Sequence, residues 1–215
     1  MMGSVNGNEY ETSSLNEPLA FPSQPGVVEP GFFVPLVRRL MEPGYVGEVG
    51  GSFVFTSGSP GEGVTYVTNA VARELAAVSG KRVLIAAASS IGNFEPAANH
   101  ELNDPVIREG NGVFRLRPPV SANRASRNKR FHLLAQLEEL FPFVLVDGPA
   151  LSHSAEALEF GARSRGVVLV AAAGKVRKNR LQLTKRMIDI SGVPLLGCAL
   201  NRRTYPIPDF LYKRL

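Results

Sequence analysis

Residues 53–66 read FVFTSGSPGEGVTY. An apolar run halts at a glycine-rich turn, and a helical pattern begins directly behind it. That is the layout of a phosphate-binding loop, G-x-x-x-x-G-K-[ST], set between a strand and a helix. Gly58 and Gly63 fill the two glycine positions, with Ser59, Pro60, Gly61 and Glu62 between them. Thr65 fills the hydroxyl position and Tyr66 follows, but Val64 stands where the lysine belongs. The backbone of such a turn and the positive end of the next helix suit an anion, and the Thr65 hydroxyl is placed to meet a magnesium ion. The missing lysine removes a charge-assisted hydrogen bond to the β- and γ-phosphates, a contribution of roughly 1.5–3 kcal/mol. The competing reading is a glycine turn that serves only helix–strand packing.

Outward from this loop, strand and helix patterns alternate. SFVFTS (52–57) is a strand with no polar face, and the helix behind it carries Val67, Ala70, Val71, Leu75 and Val78 at helical spacing up to Gly80. KRVLIAAA (81–88) is the next strand. Residues 89–112 hold no assignable element, and 112–119 form a short strand. A helix follows around 125–141, then the strand FVLVDGPA (143–150), a helix over 154–164, the strand GVVLVAAAG (166–174), a helix over 176–192 and the strand VPLLGCALN (193–201). Strands apolar on both faces, alternating with helices, predict an α/β fold with a mostly parallel sheet and helices on both sides. Ligands of such sheets sit at the carboxyl ends of the strands. There the turns at Gly58–Thr65, Asp147–Ala150 and Asn201 would meet.

The 215 residues suffice for one sizeable domain and a tail. Residues 1–48 read as a flexible arm, rich in Ser, Asn, Glu, Pro and Gly up to about residue 30, followed by a short amphipathic docking helix at FFVPLVRRLM (32–41). Residues 49–215 form the domain proper. The net charge of +5 is uneven, since residues 1–37 contain four glutamates and no Lys or Arg. The remainder therefore carries 5 + 4 = +9, which suits an anionic partner. Two basic runs, RASRNKR (124–130) and KVRKNR (175–180), are either docking surfaces for anionic lipid or an acidic segment, or solvated faces. Neither contains aromatic residues, which argues against single-stranded nucleic acid. No apolar run approaches the ~20 residues of a membrane span, and the N-terminus shows no secretory pattern. The single cysteine, Cys198, fits a reduced compartment and reads as a small buried hydrophobe. Three scattered histidines make a zinc site a poor expectation.

The block SGSPGEG (57–63) resembles the phosphate loop of the bacterial tyrosine autokinases of capsule and exopolysaccharide biosynthesis. Those proteins lie within the deviant phosphate-loop ATPases of the MinD/ParA type. The resemblance continues in order through FPFVLVDGPAL, GVVLVAAAGKVRKNRLQ and VPLLGCALNRRTYPIP, and covers residues 50–215. It implies a three-layer α/β/α phosphate-loop fold that binds ATP or ADP with magnesium. Asp147 takes the Walker B role, with Thr65 and Asp147 at the metal and Asn201 at the adenine. The implied partner is a membrane polysaccharide co-polymerase that regulates chain length, with self-association or an active paralogous kinase as further partners. The implied location is the cytoplasm, peripheral at the inner face of the cell membrane.

Departures from that pattern gather in the catalytic parts. Beyond Val64, the acidic Asp-x-Asp expected at the end of the second strand is replaced, with Ala86 and Ala88 read at those positions. A terminal tyrosine cluster is reduced to Tyr205 and Tyr212. The expectation is a degenerate, catalytically impaired pseudo-ATPase that works by binding. Two alternatives stay open. One is an active tyrosine autokinase that recruits charge from Arg124, Lys175 or a neighbouring subunit. The other is a MinD/ParA-like positioning ATPase, which would ordinarily carry a lysine where Ser59 stands.

Overall fold

The computed structural model describes residues 31–43, 50–91, 106–117 and 127–202. In chain order the elements are α1 (Val34–Met41), β1 (Gly51–Ser57), α2 (Val64–Ser79), β2 (Val83–Ala87), α3 (Ala88–Ile91), β3 (Val106–Gly110), β4 (Val113–Leu116), α4 (Arg127–Leu140), β5 (Phe143–Asp147), α5 (Glu156–Gly161), β6 (Val167–Ala172), α6 (Lys178–Ser191) and β7 (Leu195–Asn201). The strands form one sheet in the order β3-β4-β2-β5-β1-β6-β7. Every pairing is parallel except β3 with β4.

Alternation along the central strands splits the core in two. Val54, Leu84, Val144, Val146 and Leu169 face α3–α6, where Ile91, Leu134, Leu137, Phe160 and Ile188 meet them. Phe53, Phe55, Ile85, Phe143, Leu145 and Val170 face α1 and α2. Both faces of β1, β5 and β6 are buried, which is why these strands read as unbroken apolar runs. The expected α/β/α sandwich is the observed one. Ahead of the sheet, α1 and its N-cap residue place Phe33, Val37 and Leu40 in the same core as Val67 and Val71, and the Glu74 carboxylate accepts the Phe33 amide at 3.1 Å.

Three expectations are corrected. Within 89–112, the described part holds β3, which turns through Asn111 (φ 50) and Gly112 (φ 79) into β4. Positive φ at both central residues is the tight hairpin turn that Asn-Gly favours, so the dipeptide signalled a hairpin that the search for helix–strand alternation passed over. Cys198 is exposed rather than buried. It lies on β7, the last strand in the sheet order, and only the inward-facing Ala199 of that stretch is covered. Arg130, read as part of a basic surface run, is buried and paired with Glu156 and Glu159 of α5. The arm at 1–30 and the residues Arg124, Tyr205 and Tyr212 lie outside the described residues.

Candidate functional site

The loop between β1 and α2 is shaped by its own contacts. Glu62 is buried, and its carboxylate accepts the Ser59 amide at 2.7 Å. The Ser57 hydroxyl donates to the Ser59 carbonyl at 2.9 Å. Burial pushes the Glu62 carboxyl above the usual carboxylate range, against the pull of the Ser59 and Ala172 amides and the Arg180 guanidinium. Gly63 ends the loop in the left-handed conformation with φ 91, and no side chain caps α2. A side chain at Gly63 would be strained there, and its Cβ would fall 2.0 Å from the Asn201 amide nitrogen. The amide of Asn201 donates instead to the Glu62 carbonyl at 2.9 Å, so β7 clamps the end of the loop. From the other side α6 presses in. The Arg180 guanidinium donates to the Ser59 hydroxyl at 3.0 Å, and a Cβ at Gly58 would meet the Thr184 hydroxyl at 2.5 Å. Pro60 and Gly61 are exposed at the loop's crest, and Ser59 through Glu62 face Lys175, Val176, Arg177 and Arg180 across a cleft of about 330 Å³.

Opposite this cleft, the Thr65 hydroxyl donates to the Asp147 carboxylate at 2.7 Å. The strand end and the first turn of α2 thus bring together the hydroxyl and the carboxylate that were expected to share a magnesium ion. Oxygen donors of this kind suit a hard divalent cation. Burial holds the Asp147 carboxyl above its ordinary range, partly offset by the Thr65 hydrogen bond and the Arg115 charge. Arg115 reaches from β4 to bond the Asn69 side chain, whose amide in turn donates to the Thr65 carbonyl at 2.7 Å. Arg115 also pairs with Glu109. An arginine this close to the strand ends had no signal in the sequence, because its proximity depends on the missed hairpin.

The strand register revises one sequence reading. Ala87, not Ala86, pairs with Asp147. Ala86 pairs with Val146 and is buried in the opposite core layer, and Ala88 is buried in that layer too. The β2 position beside Asp147, on the α2 side of the sheet, is therefore Ala87. No carboxylate stands at Ala86, Ala87 or Ala88. Val64 is half-buried against the α1–α2 core, and Tyr66 is exposed. Loop glycines, Thr65, Asp147 and Asn201 all gather at the carboxyl end of the sheet. Among the described residues no group of three or more His, Cys, Asp or Glu side chains is arranged to hold a metal.

A buried carboxyl with a raised pKa is more stable protonated. Its stabilising share is complete below about pH 3.8 and is lost as pH rises through its folded value. Asp147→Asn is therefore expected to melt above the parent at pH 7, with the gap closing toward pH 4. Thermal melts across that range check this, and a difference that ignores pH would contradict it.

The same fold occurs in solved structures. It resembles the kinase domain of VpsO with a TM-score of 0.62 and 20% identity, over 80% of this chain and 93% of that one. It resembles the septum site-determining protein MinD of Pyrococcus horikoshii, solved with Mg-ADP, with a TM-score of 0.54 and 20% identity, over 72% and 74% of the two chains. In sequence, 85 residues are 26% identical to tyrosine-protein kinase CpsD of Streptococcus agalactiae. That match spans 39% of this chain and 37% of the relative's length. No known family profile matches the chain.

Proposed function

We propose that this chain is a nucleotide-impaired relative of the bacterial tyrosine kinases, acting by binding within a capsule or exopolysaccharide assembly system. Its partner in this reading is a membrane polysaccharide co-polymerase, met at the inner face of the cell membrane. One observation carries the reading: the fold keeps the loop and the Thr65–Asp147 pair, while Val64 and Ala87 stand where a phosphoryl-transfer site needs a cation and a carboxylate. Phosphoryl transfer depends on positioning and on neutralising charge on the transferred group. A valine and an alanine contribute to neither. Weak binding of ATP or ADP with magnesium through the loop backbone, Thr65 and Asp147 is compatible with this chemistry.

The second reading, an active autokinase, is favoured by Lys175, Arg177 and Arg180 beside the loop. Incubation of the purified chain with magnesium and ATP separates the two. Phosphate release no faster than the buffer blank, and no phosphotyrosine, is the expected result. Turnover that survives repurification and is abolished by Asp147→Ala would establish the active kinase instead.

A further inference from the structure

The helix that presses on the phosphate loop is also the one with an uncovered apolar face. Thr184 and Ile188 turn the inner side of α6 into the core. On its outer side Leu183, Met187 and Ile190 are 60%, 38% and 79% exposed. Their spacing of four and three residues puts them in one stripe. No other helix among the described residues exposes three large apolar side chains. Arg180 and Arg186 flank the stripe at helical spacing, and Lys175, Arg177, Lys178 and Lys185 are exposed elsewhere on the same segment. The one acidic residue over 175–191 is Asp189, which already pairs with Lys185 at 2.7 Å.

We propose that the outer face of α6 is a membrane-contact surface that lies on anionic lipid headgroups. Two features select this occupant. Arg180 and Arg186 beside the stripe, on a segment whose single carboxylate, Asp189, is already paired with Lys185, complement an anionic surface. The apolar side chains stand out from the convex back of a helix instead of lining a groove, so the covering layer must be one into which they can sink, as an interfacial helix sinks its apolar face into the headgroup boundary. Apolar burial and charge attraction together provide the two signals that stable anchoring takes. The same helix touches the loop through Arg180–Ser59 and Thr184–Gly58, so lipid contact would bear directly on the crest of the nucleotide site. The inference gives a surface to the peripheral location in the proposed function, but it does not depend on whether the site turns over nucleotide.

The test is sedimentation of the full chain with phosphatidylcholine vesicles, with and without phosphatidylglycerol, over a range of salt. Binding is expected only with phosphatidylglycerol, falling as salt rises. Leu183→Ser/Ile190→Ser should weaken it at least tenfold, and so should Arg186→Glu, with melting temperatures near the parent's. Ile190→Ser alone serves if the double variant folds poorly. Failure of the parent to bind the anionic vesicles overturns the proposal, as does binding unchanged in the variants. A parent that ignores lipid but forms a dimer broken by Leu183→Ser/Ile190→Ser would make this face a contact between copies, and retention on polyglutamate without lipid binding would make it a site for acidic protein; either also overturns it. Phosphate release is measured separately, so a failure here leaves the impaired-nucleotide reading standing, and the reverse.

Discussion

Val64→Lys is expected to raise affinity for a non-hydrolysable magnesium–ATP analogue by about ten- to a hundredfold. The estimate follows from one restored charge-assisted hydrogen bond, roughly 1.5–3 kcal/mol. The rest of the loop is already held in shape: Gly63 adopts the left-handed turn, Asn201 clamps the Glu62 carbonyl, and Thr65 lies against Asp147. The substitution should not be free for the fold. Val64 packs on the α1–α2 core, and an ammonium group in the first turn of a helix opposes its dipole. A slightly lower melting temperature in the free protein, together with tighter binding by titration calorimetry, is the signature of a lysine acting on phosphate. Micromolar binding by the native chain, unchanged in the variant, would show that phosphate is held by other groups and would end the impaired-site reading.

Arg130→Met is expected to cost about 3–5 kcal/mol, the usual result of stripping one partner from a buried ionic cluster. At about 2–4 °C per kcal/mol for a chain of this size, the melting temperature falls by roughly 6–20 °C. Arg130 lies in α4 and binds both Glu156 and Glu159 of α5, with its guanidinium 5.6 Å from the centre of the Phe160 ring. Without it two partly desolvated carboxylates, one turn apart, lose the cation they share. The triple variant Arg130→Met/Glu156→Gln/Glu159→Gln should recover most of the loss, because removing the two carboxylate charges with the cation leaves the cluster neutral. If the single variant melts with the parent, the cluster is not what joins α4 to α5.

The difference between these two sites mirrors what the sequence made legible. The β1–loop–α2 unit was readable because its chemistry is local: an apolar strand, glycines at fixed spacing and a helical stripe lie within thirty residues. The parallel sheet followed from strands without a polar face. Arg130 was misread because its partners are 26 and 29 positions away, and a linear run of cations looks like a surface. Cys198 was misread because edge position belongs to sheet order, which the strand pattern does not carry. The β2 position was misplaced by one because side chains alternate at every residue; only the pairing of Ala87 with Asp147 fixes which one faces the site. Arg115 went unnoticed for the same reason as its hairpin. The Asn111–Gly112 turn was visible in the sequence, but where it would bring an arginine was not.

Glu62 gives the loop an unusual independence. Its carboxylate already satisfies the Ser59 amide from within, and its own carbonyl is taken by Asn201. The mould therefore keeps its shape without a casting. The cradle is thus a self-braced arch, standing on its own chain before any guest arrives.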